Sequence, residues 1–109
     1  MIRTEIGKIK KIWLGLGGYQ DAQFGVTFEL GGKGWGCGDF DGAWARDPDS
    51  YCKWTDEDRS KEFNKMCLRI RDLLQEAGVT DINQLEGIPI EVTFENRTLK
   101  SWRILTEVL

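Results

Sequence analysis

The chain is expected to fold as an α+β domain: antiparallel β-strands, three N-terminal and two C-terminal, with one long amphipathic helix and a short second helix between them. Three observations predict this class. Apolar residues alternate with period two in the first 45 residues and again after residue 88. A single block with helical periodicity separates these regions, and the strand runs are joined by short polar or glycine turns.

Each element follows from local pattern. Over residues 5–16, Ile12, Leu14 and Leu16 alternate on one face with Trp13 opposite. Ile6 shares their parity and Ile9 does not, so a bulge is expected between Ile9 and Ile12. Gly15, Gly17 and Gly18 loosen the chain into a turn through Asp21. Residues 23–30 give the cleanest strand signal, with Phe24, Val26, Phe28 and Leu30 on one side and Thr27 and Glu29 on the other. The run Gly31-Gly32-Lys33-Gly34 closes a hairpin into a third strand from Trp35 to Ala45, and a polar loop follows over residues 46–54. Thr55 is a natural N-cap, with Asp56, Glu57 and Asp58 at the positive end of the helix. Phe63, Cys67, Ile70, Leu74 and Ala77 recur at helical spacing, Met66 and Leu73 widen the stripe, and Gly78 stops the helix. Residues 81–86 read as the short second helix. Ile88, Ile90, Val92 and Phe94 form a strand, the region 95–98 a turn, and Leu99–Leu109 the returning strand.

The chain has 109 residues, which fits a single domain, and a net charge of −3. It contains no histidine, which excludes Ser-His-Asp and Cys-His nucleophile pairs, histidine metal ligands and imidazole bases. The acidic balance argues against a general nucleic-acid coat or a membrane-surface protein, and no apolar run approaches a membrane span. Three cysteines, Cys37, Cys52 and Cys67, form no C-x-x-C pair. With Met1 leading directly into charged residues, the expectation is a cytoplasmic protein with reduced thiols and no zinc site.

Four constellations carry candidate chemistry. In the glycine-rich run 31–40, Gly34, Gly36 and Gly38 leave one strand face bare while Trp35 and Cys37 occupy the other. The run is neither a Walker loop nor a dinucleotide fingerprint. Such a face admits an aromatic ring, a second backbone or a flat ligand. The tryptophans Trp13, Trp35, Trp44, Trp54 and Trp102 lie mostly off the core faces, as expected for an interface or for base-stacking platforms. Asp39 and Asp41 share a strand face and could hold a metal, although a solvated strand end is the commoner use of such a pair. Arg59, Arg69 and Arg71 read as a salt-bridged helix face. Arg103 beside Trp102, near Asn96, Arg97 and Lys100, offers guanidinium contacts to phosphate beside a stacking ring.

The runs Ile12-Trp13-Leu14-Gly15-Leu16-Gly17-Gly18-Tyr19-Gln20, Gly31 to Phe40, and Leu85 to Val92 with Trp102-Arg103-Ile104-Leu105 resemble small phage and prophage proteins. They are most similar to the phage anti-Thoeris sponge family of the first type. The resemblance implies a non-enzymatic oligomer in the host cytoplasm that captures cyclic ADP-ribose-type signals, and in some relatives cyclic oligonucleotides. The ligand residues expected on chemical grounds are Trp35, Phe40, Trp44, Arg59, Asn96, Arg97, Trp102 and Arg103. No cofactor, nucleic-acid polymer or membrane is expected as a partner, and a homodimer or larger assembly is. The competing readings are an inhibitor that docks on a host defence protein through aromatic and acidic surface, a metal enzyme built on Asp39 and Asp41, and a virion module.

Overall fold

A computed structural model describes residues 1–17, 21–44 and 55–109. Its elements are β1 (Ile2–Gly17), β2 (Gln23–Gly32), β3 (Trp35–Trp44), α1 (Asp56–Ala77), β4 (Pro89–Glu95) and β5 (Thr98–Ile104). The expected α+β class is observed. All five strands form one antiparallel sheet in the order β3-β2-β1-β4-β5. The short second helix is one 3₁₀ turn, Ile82–Leu85, capped by Asp81. The returning strand is shorter than expected. It ends at Ile104, where the Leu105 amide donates to the Pro89 carbonyl and a 3₁₀ turn over Thr106–Val108 follows. The polar loop expected over 46–54 lies outside the described residues.

β1 is the spine of the sheet. Its first half pairs with β4 from Ile2 to Lys8 and its second half with β2 from Lys8 to Gly17. The expected bulge is present between Ile9 and Lys11. It restores the parity of Ile12 after Ile9, so both side chains are buried on the same inner face. Val26, Phe28 and Leu30 of β2, Ile90, Val92 and Phe94 of β4, and Ile104 of β5 complete that face.

Helix α1 packs over the inner face, mainly against β3, and also touches β2 and β5. Its buried centre is Met66 and Leu73, flanked by the half-buried Phe63, Ile70 and Leu74. The stripe is therefore rotated from the one expected, and Cys67 is exposed. Thr55 and Asp58 form a capping box, and Gly78 ends the helix in the left-handed conformation at φ 71°. Hydrogen bonds from Thr55 hold the Asp58 carboxyl below its usual range.

The sheet curls enough for its outermost strands, β3 and β5, to meet through the bond from Trp102 Nε1 to Asp39. A Cβ on Gly25 would collide with the Asp41 carbonyl, and one on Gly42 with the Phe24 carbonyl, so β2 and β3 approach at a point only glycine allows. Gly25→Ala and Gly42→Ala should each destabilise the domain by about 1–3 kcal/mol, as overpacking does. Gly15→Ala, in the same row but with open space around its Cβ, should leave the melting temperature almost unchanged. A second expectation concerns pH. Because the Asp58 pKa is lowered on folding, its contribution is complete above the ordinary carboxylate range and is lost as pH falls through the lowered value. The protection of first-turn amides of α1, taken relative to their intrinsic exchange rates, should fall at acid pH, and Asp58→Asn should remove that pH dependence.

Candidate functional site

The eight residues expected to bind ligand do not converge on one place. Trp102 points inward from β5. Its Nε1 donates to Asp39 Oδ2 at 2.7 Å and its ring meets Phe28 edge to face. Arg103, the next residue, belongs to the opposite face, where Glu107 and then Glu91 bind its guanidinium and raise its pKa. Trp35 also turns inward, packs edge to face on Phe94, and buries its Nε1 over Gly32 with no hydrogen-bond partner among the described residues. Asn96 and Arg97 form the β4–β5 turn, both with positive φ, and share a depression with Arg3 and Phe94. Arg59 Nε donates to the Trp44 carbonyl and its guanidinium pairs with Asp56. Phe40 and Trp44 lie on the outer face of β3.

The carboxylate pair is assigned by its partners. Asp39 and Asp41 do share the inner face, and Arg69 of α1 bridges them at 2.6 and 3.2 Å. The Arg69 guanidinium also lies against the rings of Phe28 and Trp102. Burial opposes its charge, but the hydrogen bonds it donates to Asp39 and then to Asp41 outweigh that and raise its pKa. Burial, and then the Asp39 carboxylate, push the neighbouring Cys37 thiol up. Both Asp39 and Asp41 are occupied by a cation of the chain itself, and no group of metal-binding side chains occurs among the described residues. The cluster is a fastener between α1, β2, β3 and β5.

A different surface has the features of a ligand site. Across the outer face, strand register sets up rows: Lys8–Gly31–Gly36, Lys11–Glu29–Gly38, Trp13–Thr27–Phe40 and Gly15–Gly25–Gly42. Gly36 and Gly38 leave a floor of bare backbone, as their parity in the sequence implies, while Gly34 sits in the hairpin turn at φ 81°. A depression of about 270 Å³ is lined by this floor, Thr27, Glu29, Trp13 and Lys10. Lys10 also lines a second depression, of about 530 Å³, with Lys8, Lys33, Ile6 and the backbone of Gly31 and Gly32. The β1 bulge adds a residue here and so puts extra lysine on this face. Lys8, Lys10 and Lys33 have no carboxylate within ion-pair distance among the described residues.

Sequence reasoning found the bare glycine floor and the off-core position of Trp13. It missed the lysines, because Lys8, Lys10 and Lys33 come together only through the β1–β2 register. The combination offers a flat apolar floor, an aromatic edge and a concentration of positive charge in an otherwise acidic chain.

The fastener is testable. Arg69→Met should destabilise the domain by about 1–3 kcal/mol in denaturant unfolding, since it leaves two half-buried carboxylates facing each other. Adding Asp39→Asn and Asp41→Asn to Arg69→Met should recover part of that loss. No family model, curated protein or solved structure matches the chain.

Proposed function

We propose that this chain is a binding protein that sequesters a cyclic nucleotide signal of the cyclic ADP-ribose type in the cytoplasm and does not cleave it. Cyclic oligonucleotides are the related alternative ligand. One observation carries the reading: the outer face joins a bare glycine floor and Trp13 to three lysines that have no acidic partner among the described residues. A base can lie on the Gly36–Gly38 backbone against the Trp13–Thr27–Phe40 row. Its phosphates then reach Lys10, Lys8 and Lys33. Holding without turnover fits the chemistry present. The chain lacks histidine, and the one carboxylate pair considered for catalysis is bound to Arg69. The likeness to phage anti-Thoeris sponges supports the same reading and makes the bound signal a host immune messenger.

The second reading, an inhibitor of a host protein, draws on the exposed apolar residues Trp13, Leu14 and Leu16, which a protein partner can cover. The two readings separate in one experiment. The protein is incubated with cyclic ADP-ribose isomers and with cyclic di- and trinucleotides, then heat-denatured, and the released material is identified by mass spectrometry. Sequestration predicts release of intact ligand, and a ligand at 100 times its Kd should add about 2.7 kcal/mol of stability. Altered ligand shows an enzyme, and absence of any thermal shift across the panel refutes nucleotide capture.

The site is tested with variants. Lys10→Glu combined with Lys33→Glu should weaken binding at least tenfold and flatten its salt dependence, and Trp13→Ala should weaken it without changing that dependence. Arg103→Ala separates this surface from the one expected on β5. Unchanged affinity assigns the phosphate to the lysines, and lost affinity assigns it to Arg103.

A further inference from the structure

Glu29 stands between the two ends of the outer-face site. The outward positions of β2 are Thr27, Glu29 and Gly31, which span about 13 Å of strand. Thr27 belongs to the row of Trp13 and Phe40, and Gly31 to the row of Lys8 and Gly36. The Lys10 stem lies over Gly31, where a Cβ would meet its Cε at 2.7 Å. Glu29 therefore separates an aromatic end from a cationic end, and it lines the smaller depression with Trp13, Thr27 and Lys10. Its carboxylate has no ion pair or hydrogen bond among the described residues. Lys11, its cross-strand neighbour, carries its ammonium over the Trp13 ring, 5.6 Å from the centroid. An acid set among lysines, with none of them bound to it, keeps its acceptor oxygens open.

We propose that Glu29 reads the ribose of the captured nucleotide: it accepts a hydrogen bond from a free 2′ or 3′ hydroxyl and rejects a sugar that carries phosphate there. The assignment rests on the nucleotide reading of this face and names the ligand class within it. Ribose joins base to phosphate, and Glu29 lies between the row that stacks the base and the lysines that meet the phosphates. An ionised carboxylate only accepts hydrogen bonds, so it suits a hydroxyl and repels a phosphate. Acidic side chains hold ribose hydroxyls in dinucleotide sites by the same chemistry. Beside phosphates such a charge lowers affinity, so what it contributes is discrimination. The ligand favoured is an ADP-ribose type with free sugar hydroxyls. Cyclic oligonucleotides, linked through a 2′ or 3′ phosphate, bring that phosphate against the carboxylate.

The test is calorimetric titration of the wild type and Glu29→Ala with four probes. These are cyclic ADP-ribose, its 2′-deoxy and 3′-deoxy forms at the adenosine ribose, and its 2′-phosphate. The wild type should bind one of the deoxy forms, and the 2′-phosphate, about tenfold more weakly than the parent, as loss of a hydrogen bond to a charged group does. Glu29→Ala should bind parent and deoxy forms alike, and should bind the 2′-phosphate more tightly than the wild type does. A misfolded variant weakens every probe together and cannot produce that gain. A wild type that binds the parent and both deoxy forms equally overturns the role of Glu29 and leaves nucleotide capture standing, and so does a Glu29→Ala variant that keeps the discrimination. A wild type that binds none of the four overturns the ribose assignment, and the wider panel of cyclic nucleotides then decides nucleotide capture by itself.

Discussion

The fold depends on one ion pair network. Arg69 reaches from α1 to Asp39 and Asp41 on β3, and Asp39 accepts a second bond from the indole of Trp102 on β5. β3 and β5 are the two outermost strands of the sheet, so these bonds require the sheet to curl until its edges face the same helix. The guanidinium lies against Phe28 and Trp102, whose rings exclude water from one side of it. A half-buried pair of this kind contributes through geometry more than through net Coulomb energy, because desolvation offsets much of the attraction. Its effect is to select one curled arrangement among the many a long twisted sheet could adopt.

That curl decides which face of the sheet is filled and which is open. The inner face is filled by Phe28, Trp35, Phe94, Trp102 and the Met66–Leu73 side of the helix. The two tryptophans that a nucleotide site would have used for stacking are thereby committed to the core. Gly7 and Gly32 make room for Trp35, as a Cβ on either would run into its ring. The outer face stays open; there the β2–β3 backbones come close at Gly25 and Gly42, and the bulge at Lys10 gathers positive charge.

Period-two alternation made the strands legible in the sequence, and the parity break between Ile9 and Ile12 located the bulge correctly. The cap at Thr55 and the stop at Gly78 were equally plain, because both act over one helical turn. Of the expected helix stripe, Phe63, Ile70, Leu74 and Ala77 pack on the core and Cys67 does not, while Met66 and Leu73, expected only to widen it, are its buried centre; rotation of a helix is set by what it packs against. The candidate site was less legible. Trp102 and Arg103 are adjacent in the chain, and adjacency in a strand puts them on opposite faces. Asp39 and Asp41 looked like a free acidic pair because their cation, Arg69, is 28–30 residues away. The lysine surface likewise depends on long-range register, which no local pattern encodes.

β1 links these features because it is longer than either of its neighbours. It has 16 residues, whereas β2 has 10 and β4 has seven. The two ladders occupy opposite sides and opposite halves of it, overlapping only near Lys8. Lys8, Lys10 and the bulge all lie near this handover, where neither neighbour runs past to crowd the outer face. The same offset leaves the far end of β1 with a partner on one side alone. A strand long enough to create the cationic handover therefore also creates the open apolar edge. Shortening β1 to remove that edge would delete the Trp13–Gly15–Gly17 column that borders the glycine floor. The exposed leucines are thus tied to the geometry of the outer face, since both follow from the length of β1.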